Sequence, residues 1–299
     1  MRKTALSRIS NSIVASHYRQ SAILIQIKAG LEKIGKLQDV TPEVLSTVDE
    51  FHVGGLPATK ALISQLSILP TDKVLDVGCG IGGAARFVAT EFGASVVGVD
   101  LTAEYVEAGK ELNNMCGGIC KENIQLKVGS GTDLSNIFGT DGNLFNKAYF
   151  LHVGMNIKEK EMLMVEIAKQ LVPGGLLAVY DIMKVGNNNH ETLDYPVPWA
   201  SDQTMDYCCD DQVYRDAATV AGLSLVTERN CHDVAICFFE QMKAARKNAT
   251  HTNEPHPLGL HILMGEDFPL KMANISGNII KGRASPYEMI FKKKACSKV

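Results

Sequence analysis

Val74-Leu-Asp-Val-Gly78-Cys79-Gly80-Ile81-Gly82-Gly83 is the stretch that decides how this chain of 299 residues is built. A short apolar strand ends at Val77, the chain turns on glycines, and a helix from Ala84 to Phe92 follows, closed by Gly93. Glycines allow positive backbone φ and let a ligand approach the main chain. Gly78, Gly80 and Gly83 fit the spacing G-x-G-x-x-G, which a purely structural turn can also produce. Two neighbours sharpen the reading. Asp76 lies inside the strand, where an acid is costly unless it finds a hydrogen-bond donor. Asp100 directly follows a second strand, Ser95-Val-Val-Gly-Val, where a carboxylate can accept both hydroxyls of a ribose. A nucleoside ligand is expected, and NAD is one candidate. A pyrophosphate, however, needs a helix N-terminus free of negative charge. Asp76 beside the loop suits a cationic or zwitterionic ligand better.

Outward from the loop, strands and helices alternate. Thr102 stands where it would cap a helix from Ala103 to about Met115. Strands are expected at 124–128, 146–151, 176–181, 223–228 and 288–292, with helices over 159–171 and 212–221. This pattern predicts an α/β fold: a doubly wound, mostly parallel sheet, apolar along nearly every strand because helices cover both faces. Residues 1–56 are expected to form an N-terminal helical lid, with a helix over 12–36. The main domain then spans 57–299, with a helical cap inserted over about 230–284, since so long a connection in a compact domain rarely lacks structure.

Composition narrows the function classes. Lys and Arg number 30 against 33 Asp and Glu, a net charge of -3, so the basic excess of a general nucleic-acid binder is missing. The longest apolar runs fall short of the roughly 20 residues of a membrane span. The eight cysteines show no zinc-ligand spacing, so no metal site is expected and reduced thiols are. Arg2, Lys3, Arg8 and Arg19 precede the first acid, Glu32, as in some organelle transit peptides. The same region reads as an amphipathic helix, and a cytoplasmic location is the default.

The stretches VLDVGCGIGG and VVGVDLT together resemble the first two motifs of class I S-adenosylmethionine-dependent methyltransferases. The resemblance implies S-adenosylmethionine as cofactor and S-adenosylhomocysteine as product. It places Gly78 and Gly80 on the methionine moiety, Asp76 near its amine, and Asp100 with Leu101 on the ribose side. After the third strand that family often has Gly-Asp-Ala, whose acid accepts from adenine; here Gly129-Ser130-Gly131 puts Ser130 in the acid's place. Pro173-Gly174-Gly175 looks like the family's late turn.

Three more stretches point to a subgroup: Asp49-Glu-Phe51-His52-Val53-Gly54-Gly55, His152-Val-Gly-Met155-Asn156, and Tyr195-Pro196-Val197-Pro198-Trp199. They resemble sarcosine and dimethylglycine N-methyltransferases, small-molecule enzymes that make betaines. The expected reaction is methylation of the amine of an amino-acid-like small molecule, possible partners being limited to that substrate and a second copy in a homodimer. His152 and Asn156 are the catalytic candidates, and His52 either reaches the cofactor carboxylate or staples a helix entry. Trp199, with Tyr195, Met155 and Arg283, is the expected substrate wall, Trp199 through cation–π attraction and Arg283 as a carboxylate clamp. Structural roles stand beside each: a hydrogen-bonded histidine, a rigid Pro-Val-Pro-Trp segment, core methionine, a salt-bridged arginine. Two other functions remain open: C- or O-methylation of a phenolic or quinol molecule, and non-catalytic binding of S-adenosylmethionine.

Overall fold

A computed structural model describes residues 22–142, 144–186, 192–248 and 256–295. Seven strands form one sheet in the order β3-β2-β1-β4-β5-β7-β6. They are β1 (Lys73–Val77), β2 (Ser95–Asp100), β3 (Ile124–Val128), β4 (Phe145–Leu151), β5 (Leu171–Lys184), β6 (Leu223–Asn230) and β7 (Ala284–Lys293). The first five are parallel, and β7 runs antiparallel to both β5 and β6. The doubly wound, mostly parallel sheet read from the alternating pattern is therefore present.

Helices cover both faces. Before the sheet come α1 (Ala22–Lys33), α2 (Pro42–Asp49) and α3 (Gly55–Ser64). Between strands lie α4 (Gly83–Phe92), α5 (Ala103–Cys116), α6 (Gly118–Asn123), α7 (Leu134–Phe138), α8 (Lys160–Gln170) and α9 (Asp211–Val220). Side chains of β1 alternate between the two layers: Val74 packs with Leu62, Val88 and Tyr149, whereas Leu75 and Val77 pack with Leu163 and Tyr214. Asp76 shares the face of Val74 by the period of two along a strand.

Between β6 and β7 stand α10 (His232–Asn248), α11 (His261–Met264) and α12 (Phe268–Ile280). The insertion expected over about 230–284 thus carries three helices among its described residues. Residues ahead of the sheet pack into the rest of the molecule: Leu24, Ile27 and Leu45 share a buried cluster with Ile81, Leu112 and Ile262. The expected helix over 12–36 lies partly outside the described residues.

Two local expectations differ from the structure. Pro173-Gly174-Gly175 lies inside β5, which begins at Leu171 and bulges against β4 where the pairing shifts between Phe145 and Lys147. Strand β6 is exposed at every residue after Leu223. It is the sheet's edge strand, so Arg229 and Glu228 face water there and a hydrophobic reading of it does not hold.

The chain winds from β1 outward to β2 and β3, then returns to the other side of β1 to form β4. This reversal opens a crevice at the carboxyl ends of the strands. Val77, Asp100 and Leu151, the last residues of β1, β2 and β4, all line it.

Candidate functional site

The crevice is a cavity of about 450 Å³. Its floor is the glycine loop. Gly78, Gly80 and Gly82 all have positive φ, and the amides of Gly78 and Cys79 both donate to Val99 O, at 2.7 and 3.1 Å, clasping the loop onto β2. Two glycines serve different purposes. A Cβ on Gly78 would stand 2.3 Å from Val153 Cγ2, so its size is set by packing. A Cβ on Gly80 would meet nothing within 4 Å, so its open side faces the cavity.

Asp100 anchors the loop from the next strand. Its Oδ2 accepts from the Gly80 amide and its Oδ1 from the Thr102 amide, each at 2.8 Å. Each carboxylate oxygen has a further lone pair for a ligand hydroxyl. Thr102 occupies the N-cap position of α5 but its side chain makes no capping bond. Leu101 beside it is 75% exposed, an apolar surface at the cavity wall.

Asp76 is buried, and its Oδ2 has no hydrogen-bond partner among the described residues. Burial pushes its carboxyl up to about 7, with Asp100 adding repulsion and the neighbouring Tyr149 hydroxyl opposing both. Such an acid is a cation site in waiting, because a positive ligand would restore its charge.

Glu50, His52 and Thr59 form a buried polar chain at one wall. The Thr59 hydroxyl donates to Glu50 Oε2 at 2.6 Å, and His52 Nε2 lies 2.8 Å from Thr59 Oγ1. His52 Nδ1 is left without a partner. Burial pushes His52 down to about 4 and Glu50 up to about 8, the latter helped by the adjacent Asp49 carboxylate and offset by Thr59. His152 continues the wall, its ring 5.8 Å from that of His52 and stacked on Tyr180 at 5.4 Å. Its backbone is left-handed at φ +54°, a costly conformation for a residue with a Cβ. Burial, reinforced by His52, drives its imidazole well below the ordinary histidine range, and Nε2 has no partner among the described residues. The ring is neutral at pH 7 and offers a bare acceptor.

Arg86 organises the site from behind. Fully buried on α4, it donates to Asp49 Oδ2, Asn113 Oδ1 and Ile81 O at 2.6–2.8 Å, tying α2, α5 and the loop together.

The cavity brings together His52, Asp76, Gly78, Gly80, Asp100, Leu101, Ser130, His152, Asn156 and Trp199 of the residues singled out in the sequence. The Ser130 hydroxyl is engaged locally, 2.8 Å from Thr132 Oγ1. Asn156 is exposed on the short turn after β4. Three others lie elsewhere. Met155 is buried in a cluster with Val53 and Ile182, and the Tyr195 hydroxyl donates to Asp206 Oδ2 at 2.8 Å. Arg283 pairs with Asp194 at 2.9 Å rather than lining the cavity. Asp206 also accepts from Trp199 Nε1 at 2.9 Å, so it orients the indole from outside the cavity.

Glu50, Thr59, Arg86 and Asp206 went unassigned by the sequence reading. Arg86 had a signal: one charged residue among Ala85, Val88 and Ala89 on an apolar helix face. Asp206 had none, being seven residues beyond the tryptophan it holds.

Residues 74–175, from β1 into β5, match the family model described as Methyltransferase domain (Methyltransf_25). This segment carries the sequence pattern of a methyltransferase domain. The chain is 32% identical, over 131 residues, to phosphoethanolamine N-methyltransferase 1 of Zea mays, covering 44% of this chain and 25% of that one. The chain thus spans about a quarter of the length of that relative. In structure it is similar to a protein of Galdieria sulphuraria assigned as a sarcosine dimethylglycine methyltransferase, with a TM-score of 0.62 and 22% identity over 80% of this chain and 85% of that one. It is also similar to Haemonchus contortus phosphoethanolamine N-methyltransferase 2, solved with phosphomonomethylethanolamine and S-adenosylhomocysteine, at a TM-score of 0.63 and 17% identity over 82% of this chain and 55% of that one. The fold shared with these two structures therefore extends over about four fifths of the chain.

Proposed function

We propose that this chain methylates the amine of a small molecule, with S-adenosylmethionine as donor. The observation that carries the reading is Asp100, held by the Gly80 and Thr102 amides at the carboxyl end of β2 with lone pairs to spare for a ribose. The rest of the cavity fits the same cofactor. The unpartnered Asp76 oxygen suits the ammonium of the methionine moiety, and the open side of Gly80 lets it lie against the main chain. The exposed Leu101 and the Ser130 hydroxyl suit the adenine. The free Nδ1 of His52 suits the polar end of the methionine moiety.

When bound, S-adenosylmethionine supplies a methyl group on a sulfonium, which a nucleophile displaces in line. The protein's part is alignment and exclusion of water. Only the free base of an amine has the lone pair to attack. His152, kept neutral by burial, adds no competing positive charge and can accept an N–H hydrogen bond from the amine, which arrives as its free base because so weak an imidazole does not take an ammonium proton. Asn156 and Trp199 bound the acceptor's side of the cavity, and Asp206 sets the indole plane. The expected carboxylate clamp lacks support, because Arg283 is engaged with Asp194.

One observation favours a second reading. The main cavity of about 450 Å³, with Trp199, Pro198 and Leu263 in its wall, would also take a phenolic or quinol ring for O- or C-methylation. Incubation of the chain with isotopically labelled donor and matched panels of amines and phenols, read by mass shift, separates the two. Transfer to neither panel, with donor bound, would support a binding protein instead of an enzyme.

A further inference from the structure

Behind the main cavity lies a second chamber of about 20 Å³, room for one methyl-sized group. The two share Phe51, His52, His152, Pro198 and Trp199, so the chamber adjoins the wall against which an acceptor would sit. Beyond those shared residues its wall is Val53, Leu260, Met264, Met272 and Ile275, all apolar. Met264 and Met272 come from the cap helices α11 and α12, and unbranched thioethers repack readily around a longer guest.

Charge in the main cavity is one-sided. Asp49, Glu50, Asp76 and Asp100 line it, and no lysine or arginine among the described residues lines either space. Arg86, the nearest guanidinium, faces the core, where it holds Asp49. A carboxylate or phosphate on the acceptor would find no lysine or arginine to pair with among the described residues that line either space. Trp199 offers an aromatic face to a cation at the junction.

We infer that the acceptor is an amine carrying a hydrocarbon arm and no anionic group, its arm in the chamber behind Trp199 and His152. The inference rests on the N-methylation reading and narrows its substrate. It departs from amino-acid-like and phosphorylated amines. In the transfer, the nitrogen lone pair forms the new N–CH3 bond while the S–CH3 electron pair returns to sulfur. A secondary amine then releases one proton, and a tertiary amine none.

Trp199 is the only tryptophan of the chain, so its fluorescence reports on this wall alone. The test titrates the full-length protein, loaded with S-adenosylhomocysteine, with alkyltrimethylammonium ions of two to six carbons, and with glycine betaine and phosphocholine. Affinity is expected to rise about fourfold for the first methylene that enters the chamber and to level off beyond it. Betaine and phosphocholine are expected to bind at least tenfold more weakly than the uncharged-arm ion of matched size. Met272→Phe, which fills the chamber, is expected to abolish the dependence on chain length. Affinity independent of chain length, tighter binding of betaine or phosphocholine, or no response to any probe would each overturn the inference. Calorimetry with S-adenosylhomocysteine alone reads the methyltransferase proposal separately: absent cofactor binding overturns that reading, while the probe titration still reports on the chamber.

Discussion

Gly80 and Asp100 are joined across the mouth of the sheet, the Gly80 amide donating to Asp100 Oδ2 at 2.8 Å. The same carboxylate thus shapes the loop and faces the ligand. Asp100→Ala removes the proposed ribose contacts and leaves two amides without their acceptor. Because hydrogen bonds to a charged group contribute roughly 1.5–3 kcal/mol each, cofactor affinity should fall more than tenfold in calorimetry. Unchanged affinity would remove the ribose assignment. Asp100→Asn, which keeps one acceptor oxygen, should fall between the two proteins.

The two loop glycines should separate folding from binding. Gly78→Ala drives a methyl into Val153, 2.3 Å away, and should lower the melting temperature strongly. Gly80→Ala meets no neighbour within 4 Å and bears only the left-handed backbone penalty of about 1–2 kcal/mol. It should fold, yet lose cofactor binding because its methyl projects into the cavity. Equal stability of the two variants in denaturant melts would contradict this division.

Buried acids and histidines set opposing pH trends. Asp76 and Glu50, raised to about 7 and about 8 in the fold, hold protons that the unfolded chain releases near 4. Stability from them declines as pH rises through that window. His52, lowered to about 4, works in the opposite sense only below its unfolded value near 6.5. Between pH 6.5 and 8 the acids alone remain, so the ligand-free melting temperature should fall across that range. S-adenosylmethionine, being cationic, should bind more tightly over the same interval as Asp76 ionises. Asp76→Asn should flatten the binding trend and reduce the stability trend to the share of Glu50, and a melting temperature that climbs from pH 6.5 to 8 in the unaltered protein would refute the assignment.

Thr59 links Glu50 to His52 through one hydroxyl. Thr59→Val keeps the shape of the side chain but removes the hydroxyl, leaving His52 Nε2 and Glu50 Oε2, 3.3 Å apart, only each other in the core. A buried polar group left unpaired costs about 1–3 kcal/mol, so chemical denaturation should show a loss of that order. Thr59→Ser, which restores the hydroxyl, should recover most of it. If Val and Ser variants unfold alike, the polar chain contributes nothing to stability.

The strands, the doubly wound and mostly parallel character of the sheet and the glycine loop were legible in the linear chain, because they rest on local patterns. Apolar runs of five residues, glycines at positive φ and a helix closed by Gly93 follow from backbone sterics over a few neighbours. Asp76 and Asp100 were legible for the same reason, since a strand-end acid beside that loop is a local pattern. The failures were of two kinds. Strand β6 is short of partners, and no local signal says that it is the edge and wet. Glu50, Thr59, Arg86 and Asp206 matter through contacts made across folded space. Arg86 meets Asp49 from 37 residues away, and Arg283 is drawn to Asp194, leaving no clamp in the cavity. Side-chain partners of buried charges are chosen by desolvation, which forces each charge onto whatever the packed core brings within about 3 Å. That choice exists only once the chain has folded.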